Sequence, residues 1–208
     1  MFTGIVQGTA QVLDITELDQ ARRLSLRFPS DALARIQIGA SVCISGVCLT
    51  LVEHNQNDAS FDVISETLSC TTLGALRVGS NVNFERSATF GAEIGGHLVS
   101  GHVMSVAEVV HVLATDTNVT LTLHMPAEVM PFLMPKGFIS LDGCSLTLGI
   151  VHEEERTVQV HLIPETLRMT TFGTARRETR INVEVDPMTQ AVVTTVQRVL
   201  DARGLTAS

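Results

Sequence analysis

The chain has 208 residues, is 45% hydrophobic and 17% charged, and carries a formal net charge of −8. That balance excludes a disordered chain and argues against nucleic acid as the main partner, because phosphate binding needs a basic face. No run of about 18 apolar residues occurs and residues 1–4 begin no basic-then-apolar leader, so no membrane span and no signal peptide are expected, and the cytoplasm is the expected location.

In chain order, residues 1–13 read as a first strand. Leu24, Leu26 and Phe28 alternate with Ser25 and Arg27, the mark of a half-buried strand. Pro29 breaks it, and Ser30 predicts the cap of a short helix over 31–36. A strand over 41–52 is interrupted by Gly46, which reads as a bulge or as a close backbone approach to a ligand. A turn over 55–60, a strand over 61–64, a loop over 71–74 and a strand over 81–85 complete the first half. The second half repeats this order: a strand within 98–112, a strand over 119–124, a short helix from Pro126, and strands over 137–150, 158–162 and 181–185.

The repetition is also one of residues. Gly46, Leu49 and Thr50 return as Gly143, Leu146 and Thr147, 97 positions later. Glu66-Thr67-Leu68 returns as Glu165-Thr166-Leu167, and Asn83 and Glu85 return as Asn182 and Glu184, now 99 positions later. Two extra residues are therefore expected between the echoes, and a hairpin tip near 152–156 would tolerate them. Six short strands per unit point to an all-β fold of two tandem, closed antiparallel barrels related by duplication. The expected division is 1–96, 97–186 and a terminal segment 187–208. Asp186-Pro187 starts a helix in that segment, and Val192, Val193, Val196, Val199 and Leu200 form one apolar stripe. Such a helix either packs back on its own barrels or pairs with copies of itself.

The four cysteines, at 43, 48, 70 and 144, include no C-x-x-C, so neither a zinc site nor a disulfide framework is expected. Cys43, Cys70 and Cys144 read as small buried apolar residues. With no Trp and no Tyr, a flat ligand would pack on aliphatic walls, on Phe or on a second ligand. The two Gly-x-[Cys/Ser]-Leu-Thr copies suit a pocket in which glycine admits a flat ligand and the thiol or hydroxyl two residues on shares its side; a barrel corner bonded to itself is the plainer alternative. The Glu-Thr-Leu copies read as strand ends whose amides and Thr hydroxyl bind the polar edge of a heterocycle or sugar alcohol, or simply as solvated residues. His97 and His102 lie among glycines; they lack acidic or Cys partners at metal-binding spacing and are better suited to moving protons. Between the halves Ile5 becomes His102, Gly39 becomes Lys136, Cys48 becomes Ser145 and Asp62 becomes His161. The second pocket is thus expected to be the more basic, which suits a reaction in which two like molecules play unlike roles.

The motifs Met1-Phe2-Thr3-Gly4-Ile5-Val6, Gly46-Val47-Cys48-Leu49-Thr50, Glu66-Thr67-Leu68, Gly95-Gly96-His97-Leu98-Val99-Ser100-Gly101-His102 and Asp142-Gly143-Cys144-Ser145-Leu146-Thr147 together resemble the riboflavin synthase family of the alpha-chain type, over the whole chain. The resemblance implies two six-stranded Greek-key β-barrels and a C-terminal α-helix that joins three subunits. It implies a transferase acting on two molecules of 6,7-dimethyl-8-ribityllumazine, without metal or redox cofactor, at sites between subunits; association with lumazine synthase is a further partner it suggests. By matching position it implies substrate contacts at Gly4, Ile5, Val6, Cys48, Leu49, Thr50, Asp62, Val63, Ile64, Ser65, Glu66 and Thr67. The second set is Gly101, His102, Val103, Lys136, Ser145, Leu146, Thr147, His161, Leu162, Ile163, Pro164, Glu165 and Thr166. Cys48, His102 and Ser145 stand out for acid-base or nucleophilic work. Ser45 and Cys144 depart from the family pattern, with consequences only for local bonding. The alternative is a lumazine protein, a non-catalytic antenna of the same fold that holds one chromophore and lacks pocket motifs in its second barrel.

Overall fold

Leu24 and Leu26 are fully buried while Ser25 and Arg27 face outward, and the same two-residue period runs through the strands over 58–64 and 157–162, whereas those over 81–86 and 180–185 are buried on both faces. The computed structural model describes residues 1–205. The first barrel comprises β1 (Gly8–Leu18), β2 (Ala21–Arg27), β3 (Ser41–Ile44), β4 (Val47–His54), β5 (Asp58–Ile64) and β6 (Asn81–Arg86), closed in the order β1-β2-β5-β4-β3-β6. The second comprises β7 (Ser105–Ala114), β8 (Val119–His124), β9 (Phe138–Leu141), β10 (Cys144–His152), β11 (Thr157–Leu162) and β12 (Arg180–Val185), closed in the same cyclic order. Closure leaves neither sheet with a free edge. Each barrel encloses its own core: Leu24, Leu26, Leu51, Phe61 and Leu73 in the first, Leu121, Leu123, Ile139, Leu148 and Leu162 in the second. Each such side chain contributes about 1.5–3 kcal/mol by leaving water.

Several local expectations change. Residues 1–7 are not strand but an arm, which makes an isolated β-bridge between Phe2 and Val99. Residues 31–36 form turns rather than a helix, because Asp31 (φ 66°) and Arg35 (φ 59°) sit in the left-handed region. Pro126 likewise opens a turn, followed by a 3-10 turn over Met130–Phe132. The strand expected over 41–52 is two strands joined by a Ser45-Gly46 turn, with φ 42° and 86°. Left-handed angles at both positions match the right-handed twist of the flanking strands. Asp142-Gly143 (φ 44° and 80°) repeats that turn. What approaches these glycines is not a ligand but each other: a Cβ on Gly46 would lie 2.9 Å from Gly143 N. The extra pair of residues lies at the β10/β11 bulge, one on each strand, and not at the hairpin tip, which spans four residues in both barrels. Cys43 and Cys144 are buried, but Cys70 is exposed; all four thiols are free.

The barrels interlock through reciprocal asparagines. Asn83 Nδ2 donates to Asp142 O (3.0 Å) and its Oδ1 accepts from Thr171 N (2.8 Å). Asn182 Nδ2 donates to Ser45 O (2.7 Å) and Thr72 Oγ1 (2.8 Å), and its Oδ1 accepts from Thr72 N (2.7 Å).

The terminal helix, α3 (Pro187–Ala202), follows the sequence expectation at both ends. Asp186 caps it by accepting from Thr189 N at 2.8 Å, and Gly204, at φ 65°, ends it. None of its residues is buried; Met188, Val192, Val196 and Val199 are 45–70% exposed. The expected tail beyond it, 206–208, lies outside the described residues. No helix among those residues is long and apolar enough to cross a membrane.

Candidate functional site

The strand period sorts the expected contact residues. On β4, Cys48 and Thr50 face out while Leu49 faces the core; on β10, Ser145 and Thr147 face out while Leu146 faces the core. Asp62 and Ile64 on β5, His161 on β11 and Ile163 just after it join them on the outer face, whereas Val63 and Leu162 point inward. Leu49, Val63, Leu146 and Leu162 therefore offer only backbone to a ligand on that face. Ser65-Glu66-Thr67 and Pro164-Glu165-Thr166 are not strand ends but the first turns of two short helices, α1 (Ser65–Cys70) and α2 (Pro164–Met169). Ser and Pro suit first helical turns, and each Thr carbonyl (Thr67 O and Thr166 O) accepts from a Thr hydroxyl four residues on at 2.6 Å. Ile64 and Ile163, both more than half exposed, give each face an aliphatic wall. Lys136 stands exposed in a left-handed turn, its N–H donated to Leu148 O; its side chain has no ion pair with the other candidates.

Two arms cross between barrels, so the expected contact residues group differently from the two halves of the chain. Glu85, at the end of β6, accepts from Thr3 N (2.7 Å), Thr3 Oγ1 (2.7 Å) and Gly4 N (3.0 Å), and so holds the first arm. Burial nevertheless pushes its carboxyl up, with the three donors pulling the other way. Glu184 holds Ser100 and Gly101 in the same way. Gly4 O then accepts from Ser145 N of the second barrel (2.8 Å), and Gly101 O accepts from Cys48 N of the first (2.8 Å). Val6 packs in the second barrel's core and Val103 against the first's. Gly4, Ile5 and Val6 thus border the half-site of Ser145, and Gly101, His102 and Val103 border that of Cys48. Only glycine fits these crossings: a Cβ on Gly101 would lie 2.5 Å from Cys48 Cβ, and one on Gly4 would lie 2.5 Å from Ser145 Cβ. His102 belongs beside the first half-site rather than the second, and its exposed imidazole opens onto a groove of about 350 Å³ walled by Ser100, Met104, Glu184 and the start of α3.

Ser145 has a partner that sequence reasoning did not assign to the site. His97 Nδ1 lies 2.6 Å from Ser145 Oγ, and its ring stacks on Phe138 with centroids 5.2 Å apart. Burial pushes the imidazole below the ordinary histidine value, with the Asp186 charge offsetting part of the effect. Its Nε2 is buried without a partner. A neutral imidazole against a hydroxyl is the geometry of a proton-accepting pair. Among the described residues Cys48, the matched residue, has no such neighbour, since position 97 has no counterpart in the first half. The other buried thiols are unsuited to nucleophilic work: burial pushes Cys144 up to about 12 and Cys43 well above its ordinary value.

Two matched barrels, each with a hydroxyl- or thiol-bearing outer face bordered by an arm from the other, define a lumazine-binding double barrel. The family described as Lumazine binding domain matches the chain twice, over residues 3–87 and 100–186. The chain is 48% identical to a riboflavin synthase of Escherichia coli (strain K12), over 98% of this chain and 95% of that one. It is 41% identical to a riboflavin synthase of Mycobacterium tuberculosis (strain ATCC 25618 / H37Rv), over 92% and 96%. Among solved structures, LumP complexed with riboflavin superposes with a TM-score of 0.82 at 25% identity, covering 89% of this chain and 99% of that one. The chain belongs to the riboflavin synthase family of lumazine-binding proteins.

Proposed function

We infer that the chain has riboflavin synthase activity, the last step of riboflavin biosynthesis. Two molecules of 6,7-dimethyl-8-ribityllumazine react; a four-carbon unit moves from one to the other, giving riboflavin and 5-amino-6-(ribitylamino)uracil. The two products together contain all the atoms of the two substrates, so no external oxidant or reductant enters the balance. The observation that carries this reading is the presence of two matched half-sites on one chain, within full-length likeness to riboflavin synthases. A single-chromophore antenna would need only one, and here the second keeps Ser145, Thr147 and His161 on its outer face. Incubating the protein with the lumazine and following riboflavin by absorbance tests the reading; binding without turnover would favour the antenna.

Within this reading, substrate meets the outer-face residues by side chain and Leu49, Val63, Leu146 and Leu162 by backbone. Each half-site is an open face, so a flat ring bound there leaves one side uncovered. The exposed stripe of α3 supplies the means of covering it: three copies associate through α3 and set the first half-site of one against the second of another. Truncation after Asp186 is expected to give folded monomers with turnover reduced at least a hundredfold, and a truncated chain that still sediments as a trimer would refute this role. The division into 1–96, 97–186 and 187–208 serves as the unit plan of this reading, with the cytoplasm as its location and lumazine synthase as a candidate source of substrate.

The reaction must remove a weakly acidic methyl proton from one lumazine. Ser145 Oγ can take that proton while passing its own to His97 Nδ1, which keeps charge off the hydroxyl. Positioning the two reactants contributes alongside, on the order of 7–11 kcal/mol of barrier. Ser145→Ala and His97→Gln are each expected to lower kcat by about 10²–10⁴, with a much smaller effect on lumazine affinity and the double variant no slower than either single one. Methyl exchange with deuterated water should slow in parallel. Additive losses would mean that the two residues do not act as a unit. Cys48 and His102 remain candidates at the first half-site.

A further inference from the structure

Among the matched positions at which the two half-sites differ is Asp62 against His161, and each of these two side chains has its own supports. Arg23 on β2 pairs in register with Asp62 on β5, and Thr120 on β8 pairs in register with His161 on β11. These are equivalent places in the two barrels. Arg23 Nε and Nη2 grip the two carboxylate oxygens of Asp62 at 2.6 and 2.8 Å. That contact, with the guanidinium charge behind it, holds the carboxyl below its ordinary range against partial desolvation. In the second barrel the imidazole Nδ1 of His161 meets Thr120 Oγ1 at 2.9 Å. The rest of the ring lies across Gly149, where a Cβ would stand 3.0 Å from Nε2 and 3.4 Å from Cδ2. Gly149 follows Leu148 at the β10 bulge as Val52 follows Leu51 at the β4 bulge. So three positions change together: Arg23, Asp62 and Val52 in one barrel, Thr120, His161 and Gly149 in the other. A drift at one site would not bring matched changes at the residues that hold it.

Asp62 and His161 each lie one residue from an inward pair, Leu51 with Phe61 and Leu148 with Val160, which puts them opposite Thr50 and Thr147 on the outer faces. An ionised carboxylate only accepts hydrogen bonds, whereas an imidazole tied through Nδ1 presents Nε2. The same lumazine therefore meets an acceptor edge in one half-site and an imidazole edge in the other.

We propose that Arg23 and Thr120 are positioning residues that give the two half-sites unlike polar edges, Arg23 by fixing the Asp62 carboxylate as an acceptor for N–H or O–H groups of the ligand, and Thr120, with the space above Gly149, by fixing the His161 ring. This rests on the lumazine reading above and goes beyond it in assigning what makes two copies of one substrate bind inequivalently.

The test is an absorbance and emission titration of the full-length protein with 6,7-dimethyl-8-ribityllumazine, resolving two classes of site, with riboflavin formation by the unaltered protein measured alongside. Failure of the unaltered protein to form riboflavin would count against the parent reading alone. Arg23→Met is expected to weaken one class about five- to tenfold and leave the other unchanged, a discounted charge-assisted contact because the pair is about one-third exposed. Asp62→Asn should weaken the same class, and the double variant should lose no more than either single one. Thr120→Val should weaken the other class. Arg23→Lys keeps the charge without the two-pronged grip and should recover part of the affinity, which also covers the case in which the methionine variant folds poorly. Losses spread equally over both classes, additive losses in the double variant, or a lower melting temperature with both affinities intact would each overturn the proposal.

Discussion

Asn182→Ala is expected to destabilise the protein by about 3–5 kcal/mol. The side chain leaves behind Ser45 O and Thr72 N, both in the contact between barrels. A buried polar group stripped of its partner costs about 1–3 kcal/mol, and here two backbone groups and the Thr72 hydroxyl lose theirs together. Asn83→Ala should cost about 2–4 kcal/mol, since its amide serves Asp142 O and Thr171 N. The two asparagines flank the same pair of turns, so their effects should couple and not simply add. Loss of this clamp also loosens Gly4 against Ser145 and Gly101 against Cys48, so turnover should fall in step with stability. Urea unfolding read by circular dichroism measures the cost. A loss below about 1 kcal/mol for Asn182→Ala would show that other groups hold the barrels together.

Asp142→Asn is expected to stabilise the protein at neutral pH and to leave it nearly unchanged at pH 4. Burial pushes the Asp142 carboxyl up from 3.8 to about 7, with the hydrogen bond from Asn182 N at 2.9 Å offsetting only part of the effect. Below about pH 4 the carboxyl is protonated folded and unfolded, and no penalty applies. Between about 4 and 7 the unfolded chain gives up its proton and the folded one keeps it, so stability falls as pH rises. Above 7 both states are ionised and the penalty is constant, about 2–4 kcal/mol for a group that borders an open cleft. Asparagine keeps an acceptor for Asn182 N and suits the left-handed angle before Gly143, since Asn-Gly is the favoured pair for this turn. Thermal melting of both proteins from pH 4 to 8.5 should show a difference that opens through that window and then levels off. A difference independent of pH would mean that Asp142 ionises as freely in the fold as out of it.

Much of the molecule was legible along the chain. Two barrels follow from doubled alternation, because a half-buried strand needs a period of two and the same pattern returns after 97 to 99 positions. The helix at the end follows from Asp186, Pro187 and a valine stripe, all local signals that the Asp186 cap, accepting from Thr189 N, and the stop at Gly204 bear out. Alternation also separates Cys48, Thr50 and Asp62 from Leu49 and Val63, although a contiguous run of contact residues obscured it.

What the chain alone determined was the two sets of six strands, their order and the terminal helix, because propensity, period and turn chemistry act over a few residues. Which residues meet across the barrels was decided only in three dimensions. An arm that folds onto its own barrel and one that crosses to the other carry the same letters, so Gly4 beside Ser145 and Gly101 beside Cys48 could not be read beforehand. Likewise His97 and Ser145 form a pair across 48 positions, with no periodic pattern to announce it. The glycines at 46 and 143 signalled a close approach, but only the packing of one barrel on the other showed that each makes room for its twin.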